Sequence, residues 1–173
     1  LLSFSGDKLL GSVQAGIIIG KKELIDKIKK NQLLRMLRVD KITLAILEDT
    51  INSYLKNELE NIPTLKMLHT TLETLEKRAT NLKEKVKDIC NCEIIKTQTM
   101  IGGGTTPNKK IPSIGLSLEY KNYKANKLEE LLRKNNLILR IENDRVILDF
   151  RTILEDEIEK IEIILKNLFT KCN

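Results

Sequence analysis

Ser5-Gly6-Asp7-Lys8-Leu9-Leu10-Gly11, near the beginning of a chain of 173 residues, places an aspartate and a lysine between two glycines. Glycine and aspartate are typical of tight turns, so we expect a turn here. A lysine that such a turn keeps away from water has a lowered pKa. Its neutral amine can form a Schiff base, as the lysine that binds pyridoxal phosphate does. A Gly-Asp-Lys turn is more often a solvated loop, and these residues alone leave that alternative open.

The residues after this turn predict a strand followed by helices. Residues 14–20 form a β-branched run bounded by glycines, which is the pattern of a fully buried strand. Apolar side chains recur at helical spacing in residues 21–29 and in residues 41–55, and a short basic segment at 35–38 precedes the second helix. Ile62-Pro63 then interrupts the helical pattern, because a residue that precedes proline is disfavoured in the helical conformation.

The second half of the chain predicts a small unit of helices and strands. Apolar residues at three- and four-residue steps predict one amphipathic helix over residues 64–89. A coiled coil is the alternative, but the repeat is short and strands follow at once, which favours packing onto a sheet. The elements predicted next are strands at 92–100 and 111–120 around a turn at 102–107, a helix at 125–134, a hairpin of strands at 137–141 and 146–150 around a turn at 142–145, and a helix at 155–169.

Together these elements predict an α+β fold in which helices pack on a small, mostly antiparallel sheet. Residues 64–173 form the compact unit, residues 41–63 contain a linking helix, and residues 1–40 look like the edge of another domain's sheet. The chain begins with Leu1-Leu2-Ser3-Phe4, without an initiator methionine and with an apolar run already under way. We therefore expect a piece of a longer protein.

Composition and charge limit the functional classes. Aromatic residues make up 3% of the chain and tryptophan is absent, so the core must be chiefly aliphatic. The formal net charge is +6 and the isoelectric point is near 9.2, which suits an anionic partner such as RNA or a phosphorylated ligand. The lysines are spread among glutamates along helical segments, however, which favours the simpler interpretation of a solvated surface.

Neither a metal site nor a membrane segment is predicted. Cys90, Cys92 and Cys172 form no CxxC pair and no even disulfide framework, so a reducing cytoplasm fits best. The single histidine, His69, has no carboxylate or cysteine at ligand spacing, and we interpret it as structural. No apolar run approaches the ~20 residues of a membrane span, and the sequence predicts no signal peptide with a basic n-region.

Arginines supply the candidate anion-binding groups. Arg35 and Arg38 share a face if they lie on a helical turn, so their two guanidinium groups can hold one tetrahedral oxyanion or phosphate; the alternative is an ordinary surface pair. Arg151 follows a predicted strand in Asp149-Phe150-Arg151-Thr152, where it can bind a carboxylate or phosphate or pair with Asp149. Gly102-Gly103-Gly104 is interpreted as a flexible turn rather than a phosphate loop, since no helix with a GK[ST] start follows.

In combination, these segments resemble one enzyme family, the bacterial selenocysteine synthases or L-seryl-tRNA(Sec) selenium transferases. The resemblance covers nearly the whole chain in order. The segments that carry it are Ser5-Gly6-Asp7-Lys8-Leu9-Leu10-Gly11, Gln14-Ala15-Gly16-Ile17-Ile18, Gly20-Lys21-Lys22, Arg35-x-Leu37-Arg38-Val39-Asp40-Lys41-x-Thr43-Leu44, Ile62-Pro63, Gly102-Gly103-Gly104-Thr105-Thr106-Pro107 and Asp149-x-Arg151-Thr152. Two loops depart from the family pattern: Gly11-Ser12-Val13-Gln14 stands where Gly-Gly-Pro-Gln is common, and Gly104-Thr105 where the family commonly has Gly-Gly-Gly-Ser.

The resemblance implies the C-terminal portion of a fold-type-I pyridoxal phosphate enzyme. It implies that the family converts seryl-tRNA(Sec) to selenocysteinyl-tRNA(Sec) with selenophosphate, as a homo-oligomer built as a ring of dimers. Lys8 would bind the cofactor as a Schiff base, Asp7 would assist proton transfer, and Arg35, Arg38 and Arg151 would bind substrate or selenophosphate. Residues 1–40 would then be the end of the cofactor-binding large domain, and residues 64–173 the small C-terminal domain.

Most of the large domain and the region that holds tRNA in this family are missing from the chain, so we expect no catalysis by this piece alone. Two other functions stay open. One is a pyridoxal phosphate lyase or transferase that acts on a free amino acid. The other is a non-catalytic, basic module for assembly or RNA binding.

Overall fold

A computed structural model of the chain describes residues 1–102, 104–106 and 108–171. These residues form two units, the first comprising residues 1–69 and the second beginning at Thr70. The assignment of residues 1–40, 41–63 and 64–173 to a large domain, a linker and a small domain stays a prediction. The elements of the first unit are β1 (Leu2–Ser5), β2 (Gly16–Ile19), α1 (Lys22–Lys29), α2 (Leu34–Leu37), α3 (Lys41–Leu55), a 3₁₀ turn (Leu59–Asn61) and α4 (Pro63–His69).

Strands β1 and β2 form an antiparallel hairpin, with Leu2 opposite Ile19 and Ser5 opposite Gly16. The strand predicted in residues 14–20 is therefore confirmed, but the prediction that it is fully buried was wrong. Ile18 and Ile19 are exposed, because no further strand or layer of the described residues covers them.

Helix α3 has the bounds that the sequence predicted. The Asp40 carboxylate accepts a 2.9 Å hydrogen bond from the backbone N–H of Thr43, which satisfies a free donor at the first turn of the helix. Helix α1 likewise confirms the predicted helix at 21–29. The basic segment at 35–38 contains the short helix α2.

The single helix predicted over residues 64–89 was wrong, because the structure has two helices there. Helix α4 ends at His69, and α5 runs from Leu72 to Val86. Thr71 lies between them in extended conformation, and its hydroxyl accepts a hydrogen bond from the Thr74 N–H at 3.3 Å, so a new helix starts there.

The second unit is built on a four-stranded antiparallel sheet with the strand order β3-β4-β6-β5. Its strands and helices confirm the predicted succession within a few residues. The β5–β6 hairpin turns at Asn143 and Asp144, which both have positive φ, as a tight two-residue hairpin turn requires. The remaining elements are α5 (Leu72–Val86), β3 (Asn91–Met100), β4 (Lys110–Glu119), α6 (Ala125–Arg133), β5 (Arg140–Glu142), β6 (Arg145–Asp149), 3₁₀ turns at Phe150–Thr152 and Glu155–Glu157, and α7 (Ile158–Lys171).

The core of the second unit lies between the sheet and its helices. Alternate residues of β4 and β6 face the helices, and α5, α6 and α7 each contribute leucines. The fold class is thus α+β with antiparallel sheets, and α5 packs on the sheet as predicted. Fully buried residues of this core include Leu75, Leu82, Leu116, Leu128, Leu132, Leu148, Phe150 and Leu165.

Cys90 and Cys92 are free thiols, and burial raises the pKa of Cys90 to about 12, so its thiol stays protonated at neutral pH. Cys172 lies outside the described residues, as do Gly103 and Pro107 of the predicted turn at 102–107. Within the described part of the chain, no three metal-ligating side chains come together. None of the helices in that part is both long and apolar enough to cross a membrane.

Candidate functional site

The predicted lysine turn is the loop between β1 and β2. Three backbone hydrogen bonds close it: Gly6 N–H donates to the Ala15 carbonyl at 2.8 Å, Ser12 N–H to Gly6 at 2.9 Å, and Gly11 N–H to Lys8 at 2.9 Å. The last of these is the bond of a tight turn over residues 8–11. Both ends of the loop are therefore joined, and Lys8 lies at its outer bend.

Glycine is required at two positions of this loop. Gly11 has φ +74°, and a Cβ atom there would lie 2.5 Å from Ile62 Cγ2. A Cβ atom on the buried Gly6 would lie 2.5 Å from the Val13 carbonyl oxygen and 3.2 Å from Leu47 Cδ2. The glycines thus allow the loop to lie directly against α3 and the residue before α4.

The Lys8 amine and the Asp7 carboxylate form an ion pair, with Nζ 2.5 Å from Oδ2. The Lys8 side chain is 46% exposed and the Asp7 side chain 25% exposed. The hydrogen bond from Lys8 holds the pKa of Asp7 below its ordinary value. Once it has given up a proton, the accessible Lys8 amine can react with an aldehyde, and the adjacent carboxylate can exchange a proton with it.

Arg35 and Arg38 lie in an exposed segment of the first unit. Arg35 is in α2, and Arg38 follows its last residue, with its N–H still bonded to the Leu34 carbonyl at 2.9 Å. Both side chains are exposed, and within the described residues neither guanidinium group forms an ion pair. Two cations without carboxylate partners are suited to bind an oxyanion.

A groove of about 910 Å³ lies between the β1–β2 hairpin and residues 27–39. Its walls are mainly apolar, with Phe4, Ile17 and Leu37 among the lining residues. Lys8, Arg35 and Arg38 do not line it. The structure therefore does not bring the three predicted cations together around this groove.

Arg151 has a different environment, inside the second unit. It is 5% exposed, and its guanidinium group donates to the Pro112 carbonyl from Nε at 3.2 Å and from Nη2 at 2.7 Å. Nη1 donates to the Thr70 carbonyl at 3.0 Å. In this conformation the side chain holds backbone segments in place, and anion binding by Arg151 stays a prediction.

Asp149, which the sequence allowed to pair with Arg151, forms its ion pair with Arg140. Arg140 Nη1 lies 2.5 Å from Asp149 Oδ2, and the carboxylate also accepts hydrogen bonds from Ser113, Thr99 and the Arg151 N–H. Burial by itself raises the pKa of Asp149, but the hydrogen bonds outweigh it and hold the pKa below its ordinary value. Strand alternation places these side chains on the sheet face opposite the helices.

Sequence reasoning missed the residues of α3 that contact the lysine loop. Tyr54 Oη donates to the Leu10 carbonyl at 3.1 Å, and Thr50 Oγ1 lies 2.8 Å from Ser12 Oγ. A usable signal was the spacing of Leu47, Thr50 and Tyr54, which puts one apolar and two hydroxyl side chains on the same helix face.

Comparison with known proteins identifies relatives across nearly the whole chain. A family model described as "SelA: L-seryl-tRNA selenium transferase" matches residues 1–154. Proteins named L-seryl-tRNA(Sec) selenium transferase are similar to this chain: that of Aliarcobacter butzleri is 78% identical over 169 residues, covering 98% of the chain and 38% of the relative. Those of Sulfurimonas denitrificans and Nautilia profundicola are 62% and 51% identical, covering 97% and 98% of the chain and 37% of each relative. The chain thus spans just over a third of the length of these relatives.

Proposed function

Since the chain belongs to the L-seryl-tRNA selenium transferase family, we propose that the full-length protein converts seryl-tRNA(Sec) to selenocysteinyl-tRNA(Sec) with selenophosphate as selenium donor. The observation that carries this proposal is the closed loop that presents an accessible Lys8 amine 2.5 Å from the Asp7 carboxylate. A family match without such a lysine would leave the chemistry unsupported.

Pyridoxal phosphate is the proposed cofactor, because the described residues include an amine that can form a Schiff base with its aldehyde. The Lys8 amine is accessible to an aldehyde, and the loop that carries it is closed at both ends by backbone hydrogen bonds. Bound there, the cofactor would supply the electron sink that allows the serine hydroxyl to leave. Lys8 would hold the cofactor through Nζ, and Asp7 Oδ2 would accept or return the proton at that nitrogen.

Arg35 and Arg38 are proposed to bind the oxyanion of selenophosphate. Three properties support this role. Both side chains are exposed, and neither forms an ion pair within the described residues. A planar guanidinium group can also donate two parallel hydrogen bonds to one tetrahedral oxyanion. For Arg151 the bonds to Pro112 and Thr70 support a role in holding the backbone near the end of β6.

The first unit is proposed to be the end of a fold-type-I large domain and its linking helix. Most exposed large apolar side chains of the described residues lie in this unit, including Leu37 of α2 and Leu44, Ile51 and Leu55 of α3. Such a surface requires a cover, and nearly two thirds of the relatives' length lies outside this chain. We accordingly propose that residues 1–173 alone are inactive, and that the intact cytoplasmic enzyme is a ring of dimers.

The proposal is tested with the full-length enzyme that contains this chain. Purified enzyme, seryl-tRNA(Sec) and selenophosphate should yield selenocysteinyl-tRNA(Sec), and Lys8→Ala should abolish the product while Lys21→Ala, a change in an exposed lysine outside the loop, should not. Turnover of free serine in place of the aminoacylated tRNA would favour the lyase or transferase alternative. Binding of tRNA by residues 1–173 with a steep salt dependence, together with full function of Lys8→Ala, would favour the RNA-binding module.

A further inference from the structure

Hydroxyl groups of α3 attach the lysine loop to the first unit. Tyr54 Oη donates a 3.1 Å hydrogen bond to the carbonyl oxygen of Leu10, two residues after Lys8. Ser12 Oγ lies 2.8 Å from Thr50 Oγ1, and Ser12 is four residues after Lys8. Both contacts therefore act on the segment that leads away from the lysine.

The direction of the Ser12–Thr50 bond follows from the number of hydroxyl hydrogens. Thr50 Oγ1 donates to the carbonyl oxygen of Ile46 at 3.0 Å, one helical turn earlier. A hydroxyl has one hydrogen, so Thr50 accepts at its contact with Ser12, and Ser12 is the donor. A chain of hydrogen bonds thus leads from the loop through the buried Thr50 hydroxyl to the helix backbone.

The Tyr54 hydroxyl group is protonated at neutral pH and can therefore donate this hydrogen bond. Burial raises the pKa of Tyr54, so the phenol keeps its proton at neutral pH and donates to Leu10. Thr50 and Tyr54 are four residues apart and share the helix face of Leu47, against which Gly6 packs. One face of α3 therefore holds the loop at its beginning, at Leu10 and at Ser12.

We propose that Tyr54 and Thr50 are positioning residues that fix the direction in which the loop presents Lys8 relative to α3. This inference rests on the proposed role of Lys8. The backbone hydrogen bonds close the loop on itself, whereas the contacts of Tyr54 and Thr50 orient it relative to α3. Without them the loop keeps its closure but detaches from α3 more often, and in the detached state the half-exposed Lys8 amine is more accessible to reagents and less often in its reactive position.

The test measures the reactivity of the Lys8 amine in the full-length, cofactor-free enzyme. Trace acetylation followed by mass spectrometry gives the labelling rate of Lys8, with Lys21 as the internal reference. Tyr54→Phe and Thr50→Val should each raise the Lys8 rate about three- to tenfold, the population change expected from losing one net hydrogen bond. Thr50→Ser keeps the hydroxyl and should retain the wild-type rate.

The steady-state kinetics of the full-length enzyme, with cofactor and both substrates present, provide a second test. Tyr54→Phe and Thr50→Val should lower kcat about tenfold while KM for seryl-tRNA(Sec) is unchanged, because a displaced reacting group affects the chemical step. Tyr123→Phe is the matched control, since it removes a phenol hydroxyl from the second unit. Wild-type labelling of Lys8 and wild-type kcat in both variants would overturn the inference. Wild-type turnover in Lys8→Ala would instead contradict the proposed function, and the labelling rates would still report on the loop.

Discussion

The guanidinium group of Arg151 donates two hydrogen bonds to the one carbonyl oxygen of Pro112, from Nε at 3.2 Å and from Nη2 at 2.7 Å. A third hydrogen bond, from Nη1, reaches the Thr70 carbonyl at 3.0 Å. A single buried side chain thereby joins the residues after β6, the strand β4 and the residues just before α5. This geometry needs a planar fork of donors, which lysine lacks.

Arg151→Lys is therefore expected to destabilise the 173-residue chain by about 2 kcal/mol, the range for lost hydrogen bonds to a charged group. Urea unfolding followed by circular dichroism measures the change. Arg133→Lys is the control, because Arg133 forms an i,i+4 ion pair with Glu129 on the surface of α6 and its replacement should cost less than about 0.5 kcal/mol. Unchanged stability in Arg151→Lys, with a raised KM for an anionic substrate in the full-length enzyme, would favour anion binding instead.

Asp149 predicts a specific pH dependence of stability. Its pKa is lowered in the folded state, so the stability it contributes is complete above the pKa of the unfolded chain and is lost as pH falls through the lower folded value. Asp149→Asn should thus cost about 2 kcal/mol at pH 7, because it removes the buried carboxylate that accepts hydrogen bonds from Arg140, Ser113 and Thr99, and the difference from wild type should shrink below about pH 4. Urea unfolding between pH 7 and pH 3 tests this. Glu159→Gln, a change in an exposed carboxylate, should show no such trend, and a difference that grew in acid would refute the assignment.

Alanine substitutions at Gly11 and Gly16 of the first unit can be compared directly, because only the first would create a steric clash. An alanine Cβ at position 11 would lie 2.5 Å from Ile62 Cγ2 at φ +74°, whereas one at position 16 has no atom within 4 Å. Gly11→Ala should lower the free energy of opening of the lysine loop by about 2 kcal/mol, and Gly16→Ala should leave it unchanged or raise it by about 0.5 kcal/mol. Hydrogen exchange of residues 6–15 in the full-length protein reports this quantity. Equal exchange in the two variants would show that the close approach of Gly11 to Ile62 does not hold the loop.

Arg38→Ala tests the proposed binding of selenophosphate. With one guanidinium group removed, KM for selenophosphate should rise about tenfold or more, while the binding of cofactor to Lys8 is unaffected. Initial rates at limiting selenophosphate give the effect, and Lys30→Ala, which removes an exposed cation directly after α1, serves as the control. Wild-type rates in Arg38→Ala at limiting selenophosphate would exclude the proposed role.

Local signals in the sequence were sufficient to predict the bounds of most helices and strands. The bounds of α3 follow from a capping Asp40 and from helical spacing, and strand alternation placed β3 and β4 within a residue or two. The break before α5 escaped prediction, because the apolar period continues across it. At this break the Thr70 carbonyl accepts a hydrogen bond from Arg151, which is 81 positions further along the chain. The exposure of Ile18 and Ile19 was missed because burial depends on which layers cover a strand, which β-branched composition does not specify.

The site was predictable only in part for the same reason. Turn chemistry placed Lys8 correctly on a tight loop, since Gly and Asp act through local backbone preferences. The attachment by Tyr54 joins residues 44 positions apart, and the ion pair of Asp149 with Arg140 depends on the hairpin register. Helical spacing places Tyr54 on the same face of α3 as Leu47 and Thr50, but it does not specify which distant residue that face contacts.

We expect Lys8 to be the residue that binds the cofactor. The most direct measurement is borohydride reduction of the full-length enzyme loaded with pyridoxal phosphate, followed by peptide mass spectrometry. A stable pyridoxyl adduct should form on Lys8, and it should be absent in Lys8→Ala. An adduct on a different lysine of an active enzyme, or full activity with no adduct at all, would contradict it.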